Sequence, residues 1–271
     1  MPETADIVER ALRAKIAAAA KSPFVMGICG AQGSGKSTLA DTLQKRLVAS
    51  GYKVALLSLD DLYFSKDERQ RLAATVHPLF RTRGVPGTHD VALGEAVLDD
   101  LAREGVTRLP RFDKRRDMRL PHDAWDAVDG PADIILFEGW CVGARPQADD
   151  ELAAPVNSLE RDEDPDGAWR RAVNGALRGD YRRLFDRLHM LVLLAAPSFD
   201  VVAGWRIEQE ATLRHNLEAR GESTDGLMSD VDIARFVLFY ERLTRHILEE
   251  MPGRADLVIR LDAARRPVAT N

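Results

Sequence analysis

The 271-residue sequence lacks features that would cross-link it with disulfides or hold it in a membrane. It contains only two cysteines, Cys29 and Cys141, and each follows apolar residues. This pattern predicts buried thiols and excludes a disulfide framework. The longest clear apolar stretch, Leu188 to Pro197, is far shorter than the roughly 20 residues that a membrane-spanning helix needs.

Positively charged residues are also fewer than negatively charged ones. The chain has 38 Lys and Arg against 43 Asp and Glu, a net charge of −5 at pH 7. No global basic field therefore points to nucleic acid, and we expect neither a nucleic-acid nor a membrane partner. The segment Met1 to Arg10 is polar and acidic, without a signal-peptide pattern, so we expect a cytoplasmic protein. The oligomeric state is left open.

What the sequence does contain is a glycine-rich loop between a predicted strand, Phe24 to Cys29, and a helical pattern, Thr38 to Ala49. The loop has the spacing G-x-x-x-x-G-K-S. Glycines let backbone N–H groups surround a polyphosphate, and the helix N-terminus adds a favourable dipole. A glycine-rich turn is the alternative, but the flanking strand and helix favour a nucleotide site. The predicted nucleotide-binding residues are Gly30, Ala31, Gln32, Gly33, Ser34, Gly35, Lys36, Ser37 and Thr38.

Three residues are candidates for the chemistry at the phosphates. Lys36 is placed to reach the β- and γ-phosphates, and the Ser37 hydroxyl to ligate Mg²⁺. Glu138 ends the apolar strand Asp133 to Phe137 and is the second candidate metal ligand, since Mg²⁺ prefers hard oxygen ligands. A helix cap or an ion pair is the alternative role for Glu138.

Strands alternate with helices along the chain, which predicts an α/β fold with a parallel sheet covered on both faces. Thr107 to Phe112 is included among the predicted strands. Ligands of such sheets bind at the carboxyl ends of the strands. We expect one domain over residues 1–271, with an N-terminal helix in 1–22, a helical excursion at about 145–187 and a lid region at about 198–228.

Asp60 and Asp61 end the strand predicted over Lys53 to Leu59. In phosphoryl transfer to a hydroxyl group, a carboxylate near the acceptor takes its proton. We favour Asp60 as this base. Asp61 would assist the metal, or cap the helix that begins near Ser65, and it is the alternative base.

Basic residues follow further strand and turn ends. Arg83, Arg111 and Lys114 are candidates for binding an anionic acceptor, because guanidinium groups bind carboxylates and phosphates bidentately. The alternative is a solvated basic face, which we favour for Arg115, Arg116 and Arg119.

Arg206 and Arg214 lie on a helix predicted from about 200 to 220, on roughly the same face. Such arginines can close over a transferring phosphoryl group. Ion pairs with Glu208 or Glu210 are the alternative. The histidines show no metal-binding spacing, so a zinc site is not expected.

Several segments, in this order along the chain, resemble the D-glycerate 3-kinase family, a branch of the P-loop kinases that includes uridine kinase, phosphoribulokinase and bacterial pantothenate kinase. They are GAQGSGKST (30–38), SLDDLYF (58–64), HPLFRTRGVPGTHD (77–90), LPRFDK (109–114), ILFEGW (135–140), PVNSLE, WRIEQEATLR and MSD (228–230). The resemblance implies an α/β P-loop three-layer sandwich with a mainly parallel sheet and a helical lid. It also implies ATP with Mg²⁺ as cofactor, and phosphorylation of D-glycerate to 3-phosphoglycerate.

Residue by residue, the resemblance assigns the base to Asp60 and the acidic residue of the metal site to Glu138. It places Arg83, His89 and Asp90 near the acceptor. Residues 161–179 look like an insertion relative to the plant-type enzyme, and the basic loop after Lys114 also differs. The predicted roles are catalysis for Lys36, Asp60 and Arg206; substrate binding for Asp60, Arg83, His89, Arg111, Lys114 and Arg214; and metal binding for Ser37, Asp61 and Glu138.

The phosphate loop is also compatible with three other functions. A P-loop kinase could use another acceptor, such as a nucleoside or pantothenate, although the basic loops favour a small anion. A P-loop GTPase usually carries an N-K-x-D element, which this sequence lacks, and the strand ending at Glu138 has no D-x-x-G. A nucleotide-binding module without catalysis is disfavoured because Lys36, Ser37, Asp60 and Glu138 are all present.

Overall fold

A computed structural model describes residues 2–19 and 22–270 of the chain. Its helices are α1 (Pro2–Ala18), α2 (Lys36–Ala49), α3 (Lys66–Thr75), α4 (Val91–Asp100), α5 (Ser158–Glu163), α6 (Ala168–Arg178), α7 (Asp180–Phe185), α8 (Asp200–Ala219) and α9 (Asp230–Glu250). Its strands are β1 (Phe24–Gly30), β2 (Val54–Ser58), β3 (Gly105–Leu109), β4 (Phe112–Asp113), β5 (Met118–Arg119), β6 (Asp126–Gly130), β7 (Ile134–Gly139), β8 (Met190–Ala195), β9 (Leu257–Leu261) and β10 (Pro267–Thr270). The N-terminal helix predicted in 1–22 is α1; residues 1, 20 and 21 lie outside the described part.

Six strands form the central sheet, in the order β10-β9-β8-β1-β7-β2. The pairs joining β9, β8, β1, β7 and β2 are parallel, and β10 pairs antiparallel with β9. The prediction of a mainly parallel sheet is therefore confirmed. In the sheet register Glu138 of β7 lies beside Ile28 of β1 and Ser58 of β2, which brings the ends of these strands together.

Helices cover both faces of this sheet. The side chains of Phe24, Met26 and Ile28 in β1 join a buried cluster with residues of α1 and α2. Val25 and Cys29, which alternate with them, join a cluster on the opposite face with residues of α4, α6, α7 and α9. Because successive side chains of a strand point to opposite faces, this split confirms the predicted three layers.

The prediction of a central strand over Thr107 to Phe112 is wrong. Residues 105–109 form β3, which pairs antiparallel with β6, and Phe112 begins β4, which pairs with β5. Both pairs lie outside the central sheet. The side chain of Val106 is 63% exposed, whereas strands covered on both faces are buried throughout.

The polar segment 161–179 contributes several side chains to the core. Trp169 is buried in α6, and its ring packs edge-on against Phe239 of α9 with centroids 5.7 Å apart. The guanidinium of Arg170 pairs with Asp164 at 3.0 Å, and both side chains are buried. Two charges of the segment predicted as an insertion are thus paired with each other inside the protein, while Arg161 and Asp162 are exposed.

Both cysteines are free and buried, as predicted. Across residues 2–19 and 22–270, none of the helices has the length and apolar character required to cross a membrane.

Candidate active site

The glycine-rich loop joins β1 to α2, and two of its glycines have left-handed backbone angles. The φ angles of Gly33 and Gly35 are 75° and 90°. A Cβ atom on Gly33 would lie 2.6 Å from Cβ of Trp205, so only glycine fits there. Gly35 precedes α2 without a side-chain cap, and the first turn of α2 has no acidic residue. The N–H groups of this helix N-terminus therefore suit an anion, and the loop fits a polyphosphate.

The carboxylate of Glu138 lies against the start of α2. Its Oε1 atom accepts hydrogen bonds from the hydroxyls of Ser37 and Ser58, each at 3.0 Å. Glu138 is only 6% exposed, and its Oε2 atom is buried without a hydrogen-bond partner in the described residues. A buried carboxylate oxygen without a partner, beside a hydroxyl, is a donor set that suits Mg²⁺.

No cluster of three or more His, Cys, Asp or Glu that could hold a metal ion occurs in the described ranges. A Mg²⁺ bound at Ser37 and Glu138 would therefore take its other ligands from nucleotide phosphates and water, as is usual for this ion.

Six of the predicted site residues line a single cavity of about 250 Å³. Its walls come from α2, the end of β2, the end of β7 and the loop around β4. The lining residues are Ser37, Asp41, Leu56, Ser58, Asp60, Asp61, Arg111, Lys114 and Glu138. The structure thus brings the candidate base, metal ligands and two acceptor-binding cations to one place.

Asp60 follows β2 in a single turn of 3₁₀ helix, Leu59–Leu62. The Tyr63 hydroxyl donates to its Oδ1 at 2.9 Å, and Lys114 Nζ donates to its Oδ2 at 2.5 Å. Burial by itself would raise the pKa of Asp60, but the charges of Lys114 and Lys36 and these hydrogen bonds hold that pKa well below its usual range. Asp60 is therefore ionised at neutral pH.

Asp61 holds a neighbouring loop in place. Its Oδ1 accepts from the backbone N–H of Phe112 at 2.9 Å, and its Oδ2 accepts from Arg111 at 3.0 Å. Burial raises the pKa of Asp61, although Phe112 and Arg111 oppose the shift. The alternative that Asp61 caps the helix near Ser65 is wrong, because Ser65 itself caps α3 and accepts from Glu68 N–H at 3.3 Å.

Arg83 does not line the cavity but holds the turn that presents Lys114. It donates to the carbonyl of Lys114 at 3.0 Å and to Asp117 at 2.5 Å. Asp117, whose φ is 54°, also accepts from the buried Arg69. Of the three predicted acceptor-binding cations Arg83, Arg111 and Lys114, only Arg111 and Lys114 line the cavity. Arg83 reaches the site through the backbone of the β4–β5 turn.

His89 is likewise separated from the cavity. Its ring stacks on Tyr63 with centroids 4.5 Å apart, and its Nδ1 lies 2.6 Å from the Tyr181 hydroxyl. Burial lowers the pKa of His89 to about 3, against the opposing charge of Asp60, so the imidazole is neutral at physiological pH. His89 supports Tyr63, which in turn donates to Asp60.

The two arginines of α8 lie on one face, as expected. Arg206 Nη2 lies 3.9 Å from the sulfur of Met228, and Arg214 Nη2 donates to the carbonyl of Met228 at 3.4 Å. Arg206 also pairs with Glu210 at 2.5 Å, and Glu210 accepts from the backbone N–H of Met228 at 2.9 Å. The ion pair between Arg206 and Glu210, which is the alternative role predicted for Arg206 from the sequence, is therefore present in the structure.

Other residues at the site have no predicted catalytic, phosphate-binding, acceptor-binding or metal-binding role. Ser58 and Tyr63 belong to the segment that carries Asp60. Ser58 ends its strand beside Glu138, and this strand-end position is a signal that could have identified Ser58 as a site residue. Asp117 and Arg265 have no such signal. Arg265 Nε donates to the carbonyl of Gly33 at 2.7 Å, from a position 232 residues further along the chain.

Comparisons with known proteins match part of the chain to a GTPase family and most of its length to a kinase. The family described as "Methylmalonyl Co-A mutase-associated GTPase MeaB" matches residues 3–63, which contain α1, the glycine-rich loop and β2. The "Uncharacterized kinase mug58" of Schizosaccharomyces pombe is 34% identical over 229 residues, covering 80% of this chain and 78% of that protein.

Two D-glycerate 3-kinases are also similar. The chloroplastic protein of Arabidopsis thaliana is 28% identical over 263 residues, which cover 92% of this chain and 55% of that protein. This chain therefore matches about half the length of the plant protein. The solved structure of D-glycerate 3-kinase from Cryptococcus neoformans superposes with a TM-score of 0.78 at 25% identity, covering 99% of this chain and 98% of that one.

Proposed function

The chain belongs to the D-glycerate 3-kinase family of P-loop kinases, and we propose that it transfers the γ-phosphoryl group of ATP to D-glycerate, forming 3-phosphoglycerate. The observation that carries this proposal is the cavity in which Asp60 and Lys114 face Ser37 and Glu138. It joins a candidate base and a cation for the acceptor to the residues at the phosphate loop.

On the donor side, the loop from Gly30 to Thr38 holds the phosphates of ATP, with Lys36 at the β- and γ-phosphates. Ser37 and the free Oε2 of Glu138 would hold Mg²⁺. When bound, Mg²⁺ neutralises charge on the phosphates. The hydrogen bonds from Ser37 and Ser58 keep the Glu138 carboxylate in place for this role.

On the acceptor side, Asp60 accepts the proton of the attacking hydroxyl group. The hydroxyl oxygen forms a bond to the γ-phosphorus as the bond to the β,γ-bridging oxygen breaks, and ADP leaves. Lys114 has three N–H donors and uses one for Asp60, so the others are available for the carboxylate of glycerate. Arg111, fixed between Asp61 and Asp126, supplies a second cation at the same cavity.

Arg206 and Arg214 act from the lid in this proposal. Arg206 exchanges its pair with Glu210 for the transferring phosphoryl group, where charge develops. Arg83 acts indirectly by holding the backbone of Lys114, and His89 acts indirectly by packing against the ring of Tyr63.

A coupled assay that detects ADP tests the acceptor. We expect turnover of D-glycerate with ATP, and much less turnover of uridine or pantothenate. The same assay with GTP tests the match to a GTPase family, and we expect ATP to be preferred. Turnover of uridine or pantothenate without turnover of D-glycerate would contradict the proposal.

Asp60→Asn tests the base. We expect kcat to fall by about 100-fold or more, since general-base catalysis contributes about 10² to 10⁴. Calorimetric titration with MgADP should give an affinity close to that of the unaltered protein. Asp61→Asn is the matched variant, and its expected defect is a raised KM for the acceptor because Arg111 loses one of its two carboxylate partners. If Asp60→Asn keeps its activity and Asp61→Asn loses it, Asp61 is the base.

A further inference from the structure

The turn between β9 and β10 places a large side chain on an unusual backbone. Arg265 has a φ of 64°, in the left-handed region that normally takes glycine or asparagine. The turn is closed by hydrogen bonds from Arg265 N–H to Asp262 O and from Asp262 N–H to Arg266 O, each at 2.9 Å. Such a backbone persists where surrounding contacts hold it, so the contacts of the Arg265 side chain identify its role.

Those contacts are made with the phosphate loop and with α8. Arg265 Nε donates to the Gly33 carbonyl at 2.7 Å, and its guanidinium lies over the Trp205 ring, 5.3 Å from the centroid. The guanidinium also pairs with Glu208. Trp205 is buried and donates from its indole nitrogen to the carbonyl of Ala263 at 2.7 Å, which ties α8 to the same turn.

The Gly33 carbonyl belongs to the peptide whose N–H is that of Ser34. In a trans peptide the C=O and N–H point to opposite sides, so holding the carbonyl orients the N–H. Here the Ser34 N–H points to the carbonyl of Ala31 at 3.1 Å, across the loop. The Gly33 backbone is also packed against Trp205, which leaves no room for a Cβ atom.

We infer that Arg265 is a positioning residue for the phosphate loop. It holds the Gly33 carbonyl and with it the Gly33–Ser34 peptide, whose N–H closes the loop onto the Ala31 carbonyl, so that the loop keeps the curvature that surrounds the phosphates of the nucleotide. This inference rests on the proposed function only in taking the loop as the ATP site, and it does not depend on the acceptor. Asp60 and Lys114 lie on other elements, so the acceptor site is expected to be unaffected by the loss of Arg265.

Titration with MgADP by isothermal calorimetry, together with kinetics, tests this role. Arg265→Gly removes the side chain and suits the left-handed backbone of the turn. We expect it to weaken MgADP binding about tenfold, the size of a lost hydrogen bond to a charged group, and to raise the KM for ATP. The KM for D-glycerate should stay within about twofold. Arg265→Lys, which keeps the charge but not the planar fork, should bind with intermediate affinity.

Arg266→Ala is the matched control. Arg266 is the next residue, its side chain is 78% exposed, and it pairs with Asp262. MgADP affinity within about twofold of the unaltered protein is expected for this variant. Equal weakening in Arg266→Ala and Arg265→Gly would overturn the inference, because both would then act through general surface charge. If Arg265→Gly does not fold, an unchanged MgADP affinity of Arg265→Lys would overturn the inference.

The outcomes also separate this inference from the proposed acceptor. An unaltered protein that binds MgADP but does not phosphorylate D-glycerate contradicts the proposed acceptor alone, and weaker binding by Arg265→Gly would still support the positioning role. Unchanged binding by Arg265→Gly, in a protein that turns over D-glycerate, overturns the positioning role alone.

Discussion

The carboxylate of Asp60 lies near two cations, Lys36 and Lys114, and their charges decide the pH range in which it is ionised. Its pKa in the folded protein is below the unfolded value of about 3.9. Its contribution to stability is therefore fully present above that unfolded value, and it is lost as the pH falls towards the folded pKa. At neutral pH the group is ready to accept a hydrogen bond from an acceptor hydroxyl.

Lys114→Gln tests whether the charge of Lys114 lowers the pKa of Asp60. Without Lys114, burial is opposed only by Lys36 and the Tyr63 hydrogen bond, so the pKa of Asp60 should rise and the acidic limb of kcat/KM should move to higher pH. The KM for D-glycerate should also rise. A pH profile of kcat/KM gives the measurement, and Arg116→Gln, in the same turn with a side chain 75% exposed, is the control. An acidic limb that stays in place in Lys114→Gln would show that Lys114 does not control Asp60.

Among the elements, helix α9 begins with local chemistry that is visible in the sequence. Ser229 accepts from the Asp232 N–H at 3.2 Å, and the Asp232 carboxylate accepts in return from the Ser229 N–H at 3.2 Å. This capping box satisfies two N–H groups that the helix itself leaves free. The turn before it carries Met228, which Arg206 and Arg214 both contact, so the cap also fixes one end of the segment predicted as a lid.

Ser229→Ala should lower the free energy of unfolding by about 1 kcal/mol, the usual contribution of an N-cap side chain. Urea denaturation followed by circular dichroism measures the change. Ser158→Ala, at the exposed first position of α5 after its cap Asn157, is the control, with an expected change within about 0.5 kcal/mol. A Ser229→Ala protein as stable as the control would rule out the cap as a stabilising interaction.

At the scale of the whole molecule, the segment 158–185 packs into the same buried cluster as the central sheet and α9. Glu160 of α5 pairs with Arg242 of α9 at 2.7 Å, and Trp169 packs on Phe239. Residues distant in sequence thus share one core. We propose that the chain unfolds as a single cooperative domain, with the helical excursion included.

Trp169→Ala tests this proposal. We expect a loss of about 3 to 5 kcal/mol in the free energy of unfolding, as for other large aromatic side chains removed from a core. The whole denaturation curve should shift as one transition, detected alike by far-ultraviolet circular dichroism and by residual kinase activity. Trp125→Ala, in the peripheral region of β6, is a comparison with a smaller expected loss. A separate early transition would show that the excursion folds independently.

The sequence by itself determined the parts that depend on short-range patterns. The loop from Gly30 to Thr38 and the strand end at Glu138 are each read from adjacent residues, because turn chemistry and strand alternation are local. The common edge of the parallel strands then predicts that Asp60 approaches Glu138. The strand predicted at Thr107 to Phe112 does not join the central sheet. Its pairing partner, and not its own composition, decides which sheet a strand joins.

Only the tertiary structure decided which distant side chains meet. Arg265 reaches Gly33, and Arg69 and Arg83 meet on Asp117. An arginine is long and flexible, and several acidic residues or carbonyls are usually within its reach. Its partner is therefore selected by the packing of the elements that carry it, which no local pattern in the sequence contains.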